Sequence, residues 1–469
     1  MSQQFIGRED EIAYLERRYA SREPEFIVLY GRRRIGKTEL ALHFLGGKRG
    51  LYYLASKEGD RENIGMLAKE MSKLVSDSAF AAATYPDWHS LFSAFVSHRG
   101  FAGKGKTIIV IDEFPYLIHS NSAMPSVFQR IWELHLRKEN VMLILLGSSV
   151  SVMEAEVLST KSPLYGRRTG QWRLSPLPFR CLRSFFPGYG MGALLMAWAI
   201  TGGVPEYLKK LSAEKGIFEN IRDHVLRRGE YLHSEAEIIL NEEFREPKNY
   251  KLILRSLSQG RTRLNEITGD TGLDKGMVSK YLDMLEQVAI ISEESPLTAS
   301  QKSRGKRYAI ADPFFTFWFR YVYPNRVDIE AQRVDAVVEL VRKDFPLYMG
   351  TMFERFVREH LPLLLKGTFT SSGREWGKTR NGVYDIDVVA INDSDSEILF
   401  GECKWQDRVD AAGGLAELKE NAQCVQWREG RRKERYAIFA RSFKSRQIAG
   451  AELVDLAAME KALFRAAPR

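Results

Sequence analysis

Residues Gly31 to Thr38 read GRRRIGKT: two glycines bracket four residues, and a lysine and a threonine follow at once. The apolar run Phe26–Tyr30 comes before and the helix-forming stretch Lys37–Leu45 after, the strand–loop–helix context in which this spacing grips a triphosphate. The glycines let the backbone turn until successive N–H groups face phosphate oxygens, and the following helix adds its positive end. Lys37 is expected to reach the β- and γ-phosphates, and the Thr38 hydroxyl to take a place on Mg²⁺. The expected nucleotide-binding stretch is Gly31, Arg32, Arg33, Arg34, Ile35, Gly36, Lys37, Thr38 and Glu39. ATP and Mg²⁺ are the cofactors it implies.

A strand ending in acids completes such a site, and TIIVIDEF supplies one. Asp112 would hold the Mg²⁺ water shell, and Glu113 would orient and deprotonate the attacking water. Taken alone, the pair also fits a turn or a helix cap. The next apolar run, VMLILLGSS, ends in Ser148 and Ser149. Ser148 would meet the γ-phosphate or the attacking water, unless Gly and Ser merely serve a turn there. Downstream, Arg167 and Arg168 in LYGRRTG read either as an arginine finger or as solvated loop residues.

A second cluster lies near the C-terminus, in VYDIDVVAIND and EILFGECKWQ. Strand alternation puts Asp385 and Asp387 on one face, and Glu402 and Lys404 on one face of the next strand, with Cys403 turned away. If the two strands pair with these faces together, Asp387, Glu402 and Lys404 converge, and Glu354 on an upstream amphipathic helix brings a third carboxylate. Glu354, Asp387 and Glu402 would hold Mg²⁺, while Lys404 would orient or activate water. The plainer reading is a surface hairpin whose E-x-K is a same-face ion pair. Lys419 and Gln423, on a helix expected over Gly414–Gln426, would touch phosphate or simply face solvent.

These residues need elements to place them. The first two hundred residues alternate strands (Phe26–Tyr30, Leu51–Leu54, Thr107–Ile111, Met142–Leu146, Gln171–Leu174) with helices at Glu9–Ala20, Lys37–Leu45, Asn63–Val75 and Ser126–Arg137. Continuous apolar strands between helices predict a parallel sheet covered on both faces. Residues 250–310 read as three helices and a hairpin: Tyr250–Gln259, Leu264–Thr268 and Lys275–Gln287, then strands Ile290–Glu293 and Arg307–Ile310. Met277, Val278, Tyr281, Leu282 and Leu285 are expected on the buried face of the third helix, with Lys275, Ser279 and Lys280 outward. The hairpin tip carries Lys302, Arg304, Lys306 and Arg307, with no acid beside them in sequence. Helix–turn–helix plus a basic wing suits DNA phosphates, though the same module also serves protein contacts.

At 469 residues the chain exceeds one ordinary core, and a net charge of +9 is a mild excess compatible with a polyanionic partner. No apolar stretch approaches membrane-spanning length. The polar, acidic N-terminus and three cysteines without a C-x-x-C pair predict a cytoplasmic protein with neither a disulfide framework nor a zinc site.

Six blocks in order, FIGREDEIAYL, GRRRIGKT, IIVIDEFPYL, LLGSSVSVM, SPLYGRRTG and TGGVPEYL, resemble the archaeal-type ATPases of the AAA+/STAND grouping that carry a DUF234 C-terminal region. The resemblance implies a site for Ile6 and Gly7 beside the adenine, and a helical lid around Gly202–Pro205. The C-terminal I-D and E-C-K strands resemble the PD-(D/E)xK nuclease core, without the proline that routinely precedes its aspartate.

The expected fold is α/β. A P-loop parallel sheet (1–190) leads to a helical lid (191–247), a winged helix (248–325) and a restriction-endonuclease-like domain (326–469). The expected function is an ATP-hydrolysing switch acting on DNA, with a homo-oligomer possible. The alternatives are an ATP-gated, Mg²⁺-dependent DNA endonuclease and a regulatory DNA-binding protein with little turnover.

Overall fold

The computed structural model describes residues 5–101, 105–299, 305–379, 382–445 and 447–464. The chain forms two compact units: Met1–Pro178 with Val204–Glu206, and Phe179–Gly203 with Tyr207–Arg469.

In the first unit, β1 (Glu25–Tyr30), β2 (Gly50–Leu54), β3 (Thr107–Asp112), β4 (Val141–Gly147) and β5 (Gly170–Arg173) form one parallel sheet in the order β2-β3-β4-β1-β5. β1, β3 and β4 are buried along their whole length. Alternate residues of β1 serve opposite cores: Phe26, Val28 and Tyr30 on one face, Ile27 and Leu29 on the other. Helices cover both faces, which is why these strands read as unbroken apolar runs. The order has one consequence for chemistry. β4 lies between β1, which feeds the phosphate loop, and β3, which carries the acids, so Ser148 just past β4 stands between them.

The second unit contains three helices, Lys248–Ser258, Leu264–Thr271 and Lys275–Gln287, then an antiparallel pair, β6 (Ile291–Glu294) and β7 (Arg307–Ile310). Three helices followed by a hairpin is the order of elements read from the sequence. Asp274 caps the third helix by accepting from the Met277 N–H. Val278, Leu282 and Leu285 are buried as expected; Met277 is not, because its place in the first turn faces outward, 39% exposed. The wing charges also depart from expectation. Lys306 pairs with Glu293 at 2.7 Å and Arg307 with Asp385 at 2.9 Å, acids brought in by strand pairing and by the distant C-terminal sheet. Lys302 and Arg304 lie outside the described residues.

A 31-residue helix, Val334–Leu364, continues through Pro346 and Pro362. It leads into a mixed sheet of β8 (Ser371–Thr379), β9 (Gly382–Asn392), β10 (Glu397–Lys404), β11 (Lys433–Ala440) and β12 (Glu452–Val454), ordered β12-β11-β10-β9-β8. β8, β9 and β10 pair antiparallel; β10, β11 and β12 pair parallel. The helix expected over Gly414–Gln426 runs Ala411–Ala422 instead, begun by the Asp410 cap, so Gln423 falls just past its end. No helix among the described residues is long and apolar enough to cross a membrane.

Candidate functional site

The loop between β1 and the helix Lys37–Leu45 needs its glycines. Gly36 has φ +86°, and a Cβ at Gly31, where φ is +152°, would stand 2.6 Å from the Leu174 carbonyl oxygen. Lys37 is 5% exposed, and its Nζ donates to the carbonyls of Gly31 at 2.8 Å and Arg32 at 2.9 Å, so the ammonium lies over the loop. Thr38 Oγ1 donates to Asp112 Oδ2 at 2.6 Å across the width of β4. A hydroxyl and a carboxylate, both hard oxygen donors, are thus joined where Mg²⁺ would bind between them and a triphosphate. The residues present fit the group.

Asp112 is almost fully buried and accepts three hydrogen bonds: from Thr38, from the Tyr52 hydroxyl at 2.8 Å, and through Oδ1 from the Glu113 N–H at 2.8 Å. Burial, then the Asp112 charge, raise the Tyr52 pKa, keeping the phenol a neutral donor. Glu113 adopts a left-handed backbone conformation (φ 54°, ψ 43°), which costs a non-glycine residue about 1–3 kcal/mol and is typical of functional sites. Ser148 Oγ donates to Glu113 Oε1 at 2.5 Å, while Glu113 Oε2 is buried without a partner. One carboxylate oxygen is therefore held and the other has an acceptor site to offer a water.

The N-terminal segment expected beside the adenine is tied to this loop. Phe5 stacks on His43 at 4.0 Å, Gly7 has φ +72°, and the 5%-exposed Arg8 donates to the Ile35 carbonyl at 2.7 Å and to Glu11 at 2.8 Å. Ile6 and Gly7 are thereby fixed between two anchors on the phosphate loop and its helix. Pro205 also belongs here: a Cβ at Gly36 would lie 3.9 Å from its Cγ. Arg167 donates to Glu133 at 2.8 Å and to the Tyr165 carbonyl, and Arg168 donates to the Val157 carbonyl at 3.3 Å. Within the chain, both arginines anchor their own loop.

In the second unit, β9 and β10 pair with Gly401 opposite Val388, which puts Glu402 and Asp387 next in line on one face. Asp387 Oδ2 accepts from the Cys403 N–H at 3.0 Å, and Lys404 pairs with Glu402 at 2.5 Å. Glu354 joins from the long helix. Its pKa is pushed up to about 8 by burial and then by the Asp387 charge; burial likewise raises Asp387 and Glu402. Glu354 and Glu402 both lie close enough to Asp387 to feel its charge. Among the described residues, no three His, Cys, Asp or Glu side chains are placed to hold an ion. Two guanidinium groups adjoin these acids: Arg374 lies 3.6 Å from Glu354 and 3.2 Å from Asp385, and Arg358 lies 3.9 Å from Glu354 while donating to the Asp387 carbonyl at 3.0 Å.

Four contributors escaped the sequence reading: Arg8, Tyr52, Arg358 and Arg374. Arg358 was legible in part, since it follows Glu354 by one helical turn. Arg374 and Tyr52 come from neighbouring strands whose pairing no local pattern specifies.

Residues 5–211 match the family described as an ATPase domain predominantly from Archaea. Residues 318–418 match one described as "Archaea bacterial proteins of unknown function". An uncharacterized protein of Methanocaldococcus jannaschii is 38% identical over 411 residues, 87% of this chain and 88% of that protein. An uncharacterized ATP-binding protein of the same organism is 44% identical over 45 residues, 10% of this chain and 76% of that one. The solved Walker-type ATPase of Pyrococcus abyssi is 20% identical, with 67% of this chain and 96% of that one covered at a TM-score of 0.49.

Proposed function

We propose, from the premise that this chain belongs to the archaeal P-loop ATPase family with the DUF234 C-terminal region, that it binds and hydrolyses ATP with Mg²⁺ and acts as a nucleotide switch on DNA. The observation that carries the ATPase reading is the Glu113 carboxylate: Ser148 fixes one oxygen, and the other is buried without a partner beside the Thr38–Asp112 pair. Mg²⁺, held by Thr38 and Asp112, would neutralise charge developing on the phosphates. Lys37 and the loop amides would hold the triphosphate, and Glu113 would take a proton from the attacking water. Arg167 and Arg168 are our candidates for a further positive charge on the transferring group, supplied in a homo-oligomer by a neighbouring copy.

The DNA part rests on the winged-helix order of elements and on the third helix, where Lys275 and Lys280 are exposed beside a half-buried Ser279. Such contacts would be made mainly to phosphates, with strong salt dependence and little sequence reading. The C-terminal carboxylates are better suited to holding arginines than to cutting DNA. Phosphate release measured with and without single-stranded, duplex and branched DNA tests the reading. DNA-stimulated turnover without strand cleavage supports it; no release above a Glu113→Gln control sinks it.

A further inference from the structure

A cavity of about 570 Å³ lies within the second unit, walled by the winged-helix segment, the hairpin β6–β7, the long helix and β8. Its volume falls in the range of small-molecule sites. Five arginines line it, Arg307, Arg320, Arg355, Arg358 and Arg374, against two acids, Glu294 and Glu359. All five side chains are largely buried, from 15% exposed at Arg358 to 26% at Arg320. Concentrating guanidinium groups out of bulk water is costly unless anions meet them.

The chain's own acids meet them only in part, and chiefly orient them. Asp344 grips Arg320 through two hydrogen bonds of 2.6 and 2.9 Å. Glu359 holds Arg355 at 2.6 Å, and Asp385 holds Arg307, which also stacks on Trp376 with 4.3 Å to the ring centre. Arg374 shares Asp385, yet its Nε is buried without a partner. Burial and then the Arg374 charge oppose the charge on Arg358, which has Glu294 and, at 3.9 Å, Glu354 as its counter-charges. A guanidinium presents five donors in a fixed fork, so each of these pairs leaves donors over. The remaining wall mixes hydroxyl side chains with apolar ones, the latter including Leu257, Ile310, Ala311, Tyr348 and Met352.

Pre-oriented forks beside an apolar wall suit a ligand with phosphate at one end and a flat ring at the other. We propose that this cavity is a second ligand site, separate from the phosphate loop, for a small phosphorylated molecule of the mononucleotide class. The phosphate would sit among Arg355, Arg358 and Arg374, where bidentate charge-assisted hydrogen bonds are strongest. The ring would lie against Tyr348 and Met352. The proposal does not depend on nucleotide binding at Lys37.

The test is calorimetry on the full chain carrying Lys37→Ala, which removes phosphate-loop binding from the reading. AMP and inorganic pyrophosphate are titrated separately, with adenosine and a single-stranded oligodeoxynucleotide as further arms. Saturable binding of AMP, weakened at least about tenfold by Arg355→Ala and absent for adenosine, supports the site. Thr351→Trp provides a second variant: Thr351 is an exposed cavity-lining position on the long helix, so the indole takes up cavity space while every arginine and its acid stay in the chain. An unchanged melting temperature without ligand certifies each fold. No saturable binding of AMP or pyrophosphate overturns the proposal, as does AMP binding that survives Thr351→Trp. If the oligonucleotide binds and Thr351→Trp blocks it while AMP does not bind, the cavity belongs to a nucleic-acid track and the proposal is wrong.

Discussion

Ser148 and Glu113 meet at 2.5 Å although they leave different strands, β4 and β3, and the serine hydroxyl donates to a single oxygen of the carboxylate. The bond aims the other oxygen, so the two residues should fail in different ways. Glu113→Gln keeps the shape and removes the base: hydrolysis should fall by about 10²–10³-fold, with ATP affinity within about threefold of wild type. Ser148→Ala leaves the base but loosens it, and turnover should fall by only about three- to tenfold. Phosphate release paired with calorimetric ATP binding reads both. Equal losses in the two variants would show that Ser148 does more than orient Glu113.

Arg8 links the N-terminal segment to the phosphate loop through the Ile35 carbonyl and is 5% exposed. In Arg8→Ala that carbonyl loses its side-chain donor and Glu11 loses its ion-pair partner. Stability should drop by about 2–3 kcal/mol, and ATP affinity by about tenfold as Ile6 and Gly7 lose their anchor. Arg8→Lys should recover part of the stability, since one ammonium can serve either partner but lacks the fork to serve both. Thermal melts with and without Mg·ATP measure the two losses. A variant with normal melting and normal affinity would detach this segment from the nucleotide.

What could be read from the sequence was local. The phosphate loop, the acids ending β3 and the pairing of β9 with β10 follow from spacing and alternation within short stretches, and the three helices before the wing follow from periodicity. What escaped depends on distant partners. Arg307 looks like a solvated wing charge until strand pairing in another module delivers Asp385. The C-terminal carboxylates stand alone in the sequence, and Arg358 and Arg374 reach Glu354 from a helix face and a neighbouring strand. Val334–Leu364 passes through two prolines that a local reading treats as helix ends. Its buried face, from Val337 to Leu361, outweighs them.

The arginines over the C-terminal acids set a third expectation. Arg374→Ala removes a charge that lies near both Glu354 and Asp385. Glu354 and its neighbour Asp387, which burial already disfavours as anions, should then seek another cation. On a Lys37→Ala background, Mn²⁺ affinity should rise at least about tenfold over the single variant, read by the loss of free-ion paramagnetic resonance signal. With Arg374 present, duplex DNA should stay intact in Mg²⁺ or Mn²⁺. Cutting by the wild-type chain that disappears in Asp387→Ala would make the cluster a working nuclease and reverse this reading.

Acid should find a weak point at Asp344. The carboxylate accepts from Arg320 through both oxygens and from the Tyr321 hydroxyl at 2.7 Å. The Arg320 hydrogen bonds, reinforced by Tyr321, hold its pKa below the usual carboxylate value against the opposing effect of burial. Because the folded pKa is depressed, the contribution to stability is complete above the unfolded value near 3.8. It is lost as pH falls through the lower folded value, when the native carboxylate takes up a proton. The side chain is 37% exposed, so solvent screening trims the pair below a fully buried one, and Asp344→Ala should cost about 2 kcal/mol at pH 7. At pH 3 and below, the gap between variant and wild type should narrow, because the wild type is losing the same interaction. Urea melts at pH 7 and pH 3 measure the gap directly. A difference that stays constant across that range would mean that packing, rather than the charge of Asp344, secures the Arg320 wall of the cavity.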